Sequence, residues 1–165
     1  VDSTSGAWQF TLDNTLPATQ ALTEDQQVTE SFVVRVTDSQ GVFDDQSIVI
    51  TIDGANDKPI FTHQVDDVSG NVSEAGSDDL GGLIAGTISV TGTLSALDVD
   101  ASSYLVWSIE GAADGVFGSI TIDSATGEWT YTLDNSRTAT DALNEGEQVV
   151  EQFTARVIDD HGAGS

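Results

Sequence analysis

The chain has 165 residues, 38% of them hydrophobic, and sets 28 acidic residues against four basic ones for a formal charge of −24. That balance excludes nucleic acid and acidic membrane surfaces as partners, because both need Lys and Arg to neutralise phosphate. The chain has no cysteine, so there is no disulfide framework or thiolate metal site, and no run of ~18 apolar residues inserts into a bilayer. Repulsion at this charge opposes compaction, and multivalent cations are the obvious neutralisers.

In chain order, Phe32, Val34 and Val36 alternate with Val33, Arg35 and Thr37, the two-residue period of a strand. Ile48, Ile50 and Ile52 alternate with Val49 and Thr51 and stop at Asp53. Gly54, Asn56, Asp57 and Pro59 then make a joint before apolar residues resume at Ile60. Ile88, Val90, Gly92 and Leu94 form a weaker run, and Ile120 with Ile122 another. Trp129, Tyr131 and Leu133 alternate with Thr130 and Thr132. Turn signals fall at Gly81-Gly82, Asp114-Gly115 and Thr126-Gly127, and only "ATDALNEG" suggests a helical turn. This spacing predicts an all-β Greek-key β-sandwich.

"SGAWQFTLDNTLPATQALTEDQQVTESFVVRVTDSQG" from Ser5 aligns without a gap on "TGEWTYTLDNSRTATDALNEGEQVVEQFTARVIDDHG" from Thr126. Trp8 meets Trp129, Phe32 meets Phe153 and Gly41 meets Gly162, and about half of the positions are identical. So long a period indicates domains in tandem rather than a short-repeat solenoid. Residues 1–57 read as the C-terminal half of one repeat. Residues 58–165 read as most of the next, lacking its last strand, the counterpart of "DDQSIVITIDG". The chain therefore reads as a piece of something longer. One molecule's "QSIVITIDG" is expected to complete another molecule's second domain by strand exchange; alternatively, residues 1–57 pair with 58–121 as a permuted sandwich.

Several acids sit at strand ends. Asp98 and Asp100 lie two apart in "SALDVDASS", Asp159 follows the strand ending in "RVIDD", and Asp38 is its counterpart. "TLDN" places Asp134 and, one repeat earlier, Asp13; the joint adds Asn56 and Asp57. Two carboxylates about 4 Å apart repel by about 4 kcal/mol at an effective dielectric near 20, so a shared cation is one reason to cluster them. An all-oxygen ligand set without cysteine or paired histidine suits Ca2+. Each cluster also has a plainer reading as a turn: Asp-x-x-Gly is a common hairpin, and Asp-Asn fits a tight turn unaided. An EF-hand over "DVDASSYLVWSIE" fails, because Ser103 replaces the required glycine and Ile109 holds the twelfth position.

"GTISVTGTLSALDVD", "GSITIDSATGEWTYTLDN", "VVEQFTARVIDDHG" and "VITIDGANDKP" resemble the VCBS repeats of giant bacterial RTX-type adhesins, over essentially the whole chain. Those repeats are in turn similar to cadherin and Ig-like sandwiches, in which calcium between neighbouring repeats of the same chain stiffens a rod. The resemblance implies a ligand set of Asp13 from the first repeat, Asp53, Asn56 and Asp57 from the linker, and Asp98, Asp100 and Asp159 from the second. Glu74 and Asp134 would serve the next linker. "LDN" lacks the cadherin glutamate two positions on, and "NDKP" is one residue shorter than the cadherin linker.

The implied role is a calcium-stabilised spacer of an extracellular adhesin on the bacterial surface, in cell adhesion and biofilm. The competing reading is a ligand- or carbohydrate-binding sandwich. Trp8, Trp107 and Trp129 could line a sugar face, although their apolar neighbours favour core. An enzyme is not expected: no nucleophile elbow, phosphate loop or HExxH helix occurs, and His63 and His161 are far apart in sequence.

Overall fold

The computed structural model describes residues 1–77 and 80–165. The described residues are mainly antiparallel β-strands with a few one-turn helices. It divides into two compact units. One comprises Val1–Asp57 with Val99–Ser102, and the other Lys58–Asp98 with Ser103–Ser165.

The first unit contains α1 (Pro17–Gln20), β1 (Gln27–Thr37) and β2 (Phe43–Asp53). The β-branched and aromatic residues of β1 and β2 suit an extended backbone, and the strands pair from Gln27↔Asp53 to Thr37↔Phe43. Their turn is set by Asp38, whose Oδ1 accepts the N–H groups of Gln40 at 2.8 Å and Val42 at 2.9 Å. Gly41 supplies the positive φ of 83° that this turn requires. Arg35 and Asp45 face one another across the pair, with Nε and Nη2 donating to the two carboxylate oxygens at 2.7 and 2.8 Å. The same guanidinium lies 3.7 Å from the centroid of Phe43.

Among the described residues β1 and β2 pair only with each other. Burial is thin in this unit: Ile52 is covered, but Trp8 is 51% exposed and Phe32 44%. The expectation of a core role for all three tryptophans thus fails at Trp8. Its neighbours include Phe10 and Phe32, whose rings lie 6.0 Å apart, in a cleft of about 150 Å³. No second sheet lies over that face within the unit among the described residues.

The second unit contains β3 (Ile60–Phe61), a 3-10 turn (Val65–Val68), β4 (Gly76–Ser77), β5 (Leu83–Ile84), β6 (Ser89–Thr93) and β7 (Ala96–Leu97). They are followed by β8 (Val106–Glu110), β9 (Gly118–Ile122), β10 (Glu128–Leu133), α2 (Thr138–Asp141) and β11 (Thr154–Ile158). Strand β10 lies between β6 and β9, β8 pairs with β11, β3 with β7, and β4 with β5. Leu94, Trp107, Trp129 and Val157 form the core, with Phe61, Val90, Ile120 and Tyr131 packed against it.

Trp129 is seated by its partners. It stands opposite Gly92 in the β6–β10 pair, and a Cβ at position 92 would come within 2.6 Å of the indole. The ring nitrogen donates to the Asp67 carbonyl at 2.9 Å, which satisfies the one polar atom of a buried indole.

On the side of β11 away from β8, the chain returns after the 159–163 turn. Val157 and Ser165 exchange two backbone hydrogen bonds of 3.0 Å, and Ile158 stands opposite Gly164. The equivalent pairs of the first repeat are Val36↔Asp44 and Thr37↔Phe43, so the register is the same.

Candidate functional site

The joint residues are fixed backbone first. Gly54 N–H donates to Gln26 O at 2.9 Å and Ala55 N–H to Leu22 O at 3.2 Å. Gly54 must be glycine, because a Cβ there would lie 2.1 Å from the Thr23 carbonyl oxygen. The chain next to it is thereby held against the α1–β1 connection. The loop Val99–Ser102 belongs to this same unit and is anchored by Ala101 N–H on Ala21 O at 3.1 Å. Asp57 N–H then donates to Asp100 Oδ2 at 2.7 Å. Asp100 is only 6% exposed, and Ser102 beside it holds a φ of +66°, a left-handed conformation rare for an L residue. The buried Asp100 carboxylate thus meets the linker backbone at Asp57, the residue after the half-buried Asn56, within one unit.

The remaining acids named from the sequence are more dispersed. Asp98 follows β7, is half-buried, and belongs to the second unit. Asp53 ends β2, is exposed, and accepts from Gln27 Nε2 at 2.6 Å. Glu74 is half-buried beside the Ser73↔Thr87 bridge.

Asp13 and Asp134 have the same turn geometry one repeat apart. Asp13 Oδ1 accepts the Thr15 hydroxyl at 2.6 Å and its N–H at 2.9 Å. Asp134 Oδ1 accepts the Ser136 hydroxyl at 2.6 Å and its N–H at 3.0 Å, and its Oδ2 takes Arg137 Nε at 3.2 Å. The hydroxyl bond is the main reason that each carboxyl sits below its ordinary range.

Asp159 is 3% exposed, and its Oδ1 accepts the N–H groups of His161 and Ala163, each at 2.9 Å, repeating the Asp38 turn. Asp159, Asp160 and His161 can each bring one ligand atom within 4.8 Å of the others, and His161 Nδ1 lies 3.4 Å from Asp160 Oδ1. Carboxylates with an imidazole are a donor set open to several divalent ions rather than one selective for calcium.

One half-buried acid was not singled out in the sequence. Glu151 Oε1 accepts the N–H groups of Val116 and Phe117, and its Oε2 takes the Tyr131 hydroxyl at 2.5 Å. Burial alone would raise this carboxyl. The Tyr131 hydroxyl, the two N–H groups and the nearby Arg137 outweigh it and hold Glu151 below its ordinary range. Burial, then the Glu151 hydrogen bond, push the Tyr131 hydroxyl upward. Arg137 fixes the adjoining loop through Gly115 O at 2.5 Å and Asp114 Oδ1 at 3.1 Å. These groups are tied to one another and serve to hold the loop. The signal for it was the alignment of Glu30 with Glu151, which periodicity does not weigh.

The second unit also has an open groove of about 620 Å³ lined by Leu94, Ala96, Tyr104, Leu105, Trp107 and Thr126, among others. Trp107 is only 5% exposed and offers little ring face to a ligand. No protein-family model, no curated protein and no solved structure matches the chain. Among the described residues no helix is long and apolar enough to cross a membrane.

Proposed function

We propose that this chain is a calcium-stabilised spacer from a large bacterial surface adhesin, acting outside the cell in adhesion and built from VCBS-like Greek-key sandwich repeats in tandem. The hydrogen bond from the Asp57 backbone N–H to the buried Asp100 carboxylate carries this reading, because it brings the linker backbone and the Asp-x-Asp acid together in one unit. A buried carboxylate is costly without compensating charge or hydrogen bonds. In a protein with 28 acidic and four basic residues, a hard divalent cation is the counter-charge most readily supplied. Asn56, Asp57 and Asp100 offer the oxygen donors that calcium takes. When bound, the ion supplies charge neutralisation and holds the 99–102 loop on the linker. No catalytic step is assigned to any residue.

Thermal unfolding in EDTA, in millimolar calcium and in millimolar magnesium tests this reading. Extracellular calcium modules bind with dissociation constants of about 10⁻⁴–10⁻³ M, and a hundredfold excess over that constant adds about 2.7 kcal/mol to the folded state. A calcium-specific rise in Tm that Asp100→Asn removes is the expected outcome. Superimposable melts in the three solutions would return these acids to the status of solvated turns.

A further inference from the structure

The groove of the second unit takes no part in the linker site. Its walls are residues 93–96, 104–107 and 124–126, all of that unit. Backbone hydrogen bonds set them in place. Trp107 N–H donates to Ser124 O at 2.9 Å, Thr62 N–H to Ser95 O at 2.8 Å, and Leu94 N–H to Gly127 O at 3.0 Å. Gly127 has a φ of +72°, and a Cβ there would lie 2.8 Å from the Leu94 carbonyl oxygen and 3.0 Å from the Trp107 ring. The groove is therefore preformed, and its volume of about 620 Å³ falls in the range of roughly 300–1,000 Å³ usual for small-molecule sites.

Its lining selects among ligands. In a chain with 19% charged residues, none of the eleven lining residues is Asp, Glu, Lys, Arg or His. The acid adjoining the 124–126 wall, Asp123, is folded into its own turn. Its Oδ1 accepts the N–H groups of Ala125 and Thr126 at 2.9 and 2.8 Å and the Thr126 hydroxyl at 3.0 Å. The groove thus offers a cation no carboxylate, and a net charge of −24 repels anions. The Thr93, Tyr104 and Ser124 hydroxyls have no hydrogen-bond partner among the described residues. The Ser95 hydroxyl accepts from that of Thr62 at 3.2 Å and keeps its own proton to donate. Leu94, Leu105 and Trp107 supply apolar surface, and Tyr104 is 63% exposed.

We propose that this groove binds a short uncharged saccharide. A pyranose joins an apolar C–H face to a rim of hydroxyls that donate and accept, the same two surfaces that the groove presents. Tyr104 is the stacking platform, and the Thr93, Ser95 and Ser124 hydroxyls exchange hydrogen bonds with the sugar. A wholly apolar ligand would cover those hydroxyls without replacing the water they lose, at a cost. The ring that serves is thus a tyrosine rather than one of the tryptophans, of which Trp107 and Trp129 are buried. The site involves neither the Asp57–Asp100 pair nor any metal, so it stands apart from the spacer reading.

The test titrates the intact, isotopically labelled chain with maltotriose, cellotriose, mannotriose and tri-N-acetylchitotriose, and with trigalacturonic acid as the charged counterpart. Amide and indole N–H shifts are followed by NMR. The expected result is saturable shifts with at least one neutral sugar, confined to the three walls and the Trp107 indole, and none with the acid. Tyr104→Ala should weaken that binding by about tenfold, the worth of one aromatic stacking contact with its buried area. Tyr104→Phe, which keeps the ring, should weaken it less. Because Tyr104 is exposed, the fold survives both changes, and an unshifted Trp129 indole N–H checks this. Failure of all four neutral sugars to saturate overturns the proposal. So do equal binding of the acid, shifts centred elsewhere, or a Tyr104→Ala chain that binds as tightly as the native one.

Discussion

The two copies of one sequence motif fold alike at their turns and differ in their burial. Asp13 and Asp134 fold back on Thr15 and Ser136 with hydroxyl bonds of the same 2.6 Å length, and Asp38 and Asp159 each cap a turn by accepting two N–H groups. Yet Trp8 is 51% exposed while its counterpart Trp129 is 7% exposed. Glu30 is exposed on β1, while its counterpart Glu151 closes a network of three donors. A turn is decided by residues within about four positions, so it survives a change of surroundings. Burial depends on strands far away in sequence, and only the second unit has Gly92, Asp67 and Tyr131 arranged to receive them.

The sharpest way to break this comparison is to truncate both tryptophans. Trp129→Ala should cost about 3–5 kcal/mol, the range for large aromatic deletions from cores. Trp8→Ala should stay within about 1 kcal/mol, as half-exposed positions do. Denaturant unfolding checks both, and equal losses would mean that Trp8 is packed in solution. Next comes Glu151→Ala, which strands three donors and should cost about 2–3 kcal/mol; Glu30→Ala should move stability by no more than about 0.5 kcal/mol.

Acid sharpens the same pair. The folded carboxyl of Glu151 titrates below its ordinary value of 4.5. Its contribution is therefore complete above that value and is lost as pH falls through the lower folded one. Glu151→Gln should flatten the acid limb of a pH–Tm profile relative to the native chain. The smallest effects belong to the exposed turn acids. Asp134→Asn should lower Tm slightly more than Asp13→Asn, because only Asp134 also accepts from Arg137.

The strands were largely legible in the sequence because alternation is local: Trp129–Tyr131–Leu133 lies on β10, Ile120–Ile122 on β9, and Phe32–Val34–Val36 on β1. The one-turn helix was visible in "ATDALNEG", and its twin at Pro17–Gln20 lies one repeat earlier. The site was less legible. Carboxylates at strand ends look alike in sequence, whether they cap a turn, as Asp13, Asp134 and Asp159 do, or lie buried against a distant linker, as Asp100 does. What separates them is the return of the 99–102 loop to the first unit, a contact across more than 40 positions that no short-range pattern encodes. Glu151 escaped notice for the same reason, since its donors lie 20, 34 and 35 positions away.

The seat of Trp129 has a consequence for how such a sequence drifts over generations. With the indole in place, even Gly92→Ala puts a methyl group within 2.6 Å of the ring, and a smaller residue at 129 leaves the glycine facing an empty space. Each substitution is penalised alone and tolerated only when the other has changed. Lineages of this module should therefore keep glycine and tryptophan together at these two positions or replace both, and a deep mutational scan of the pair should show strong epistasis.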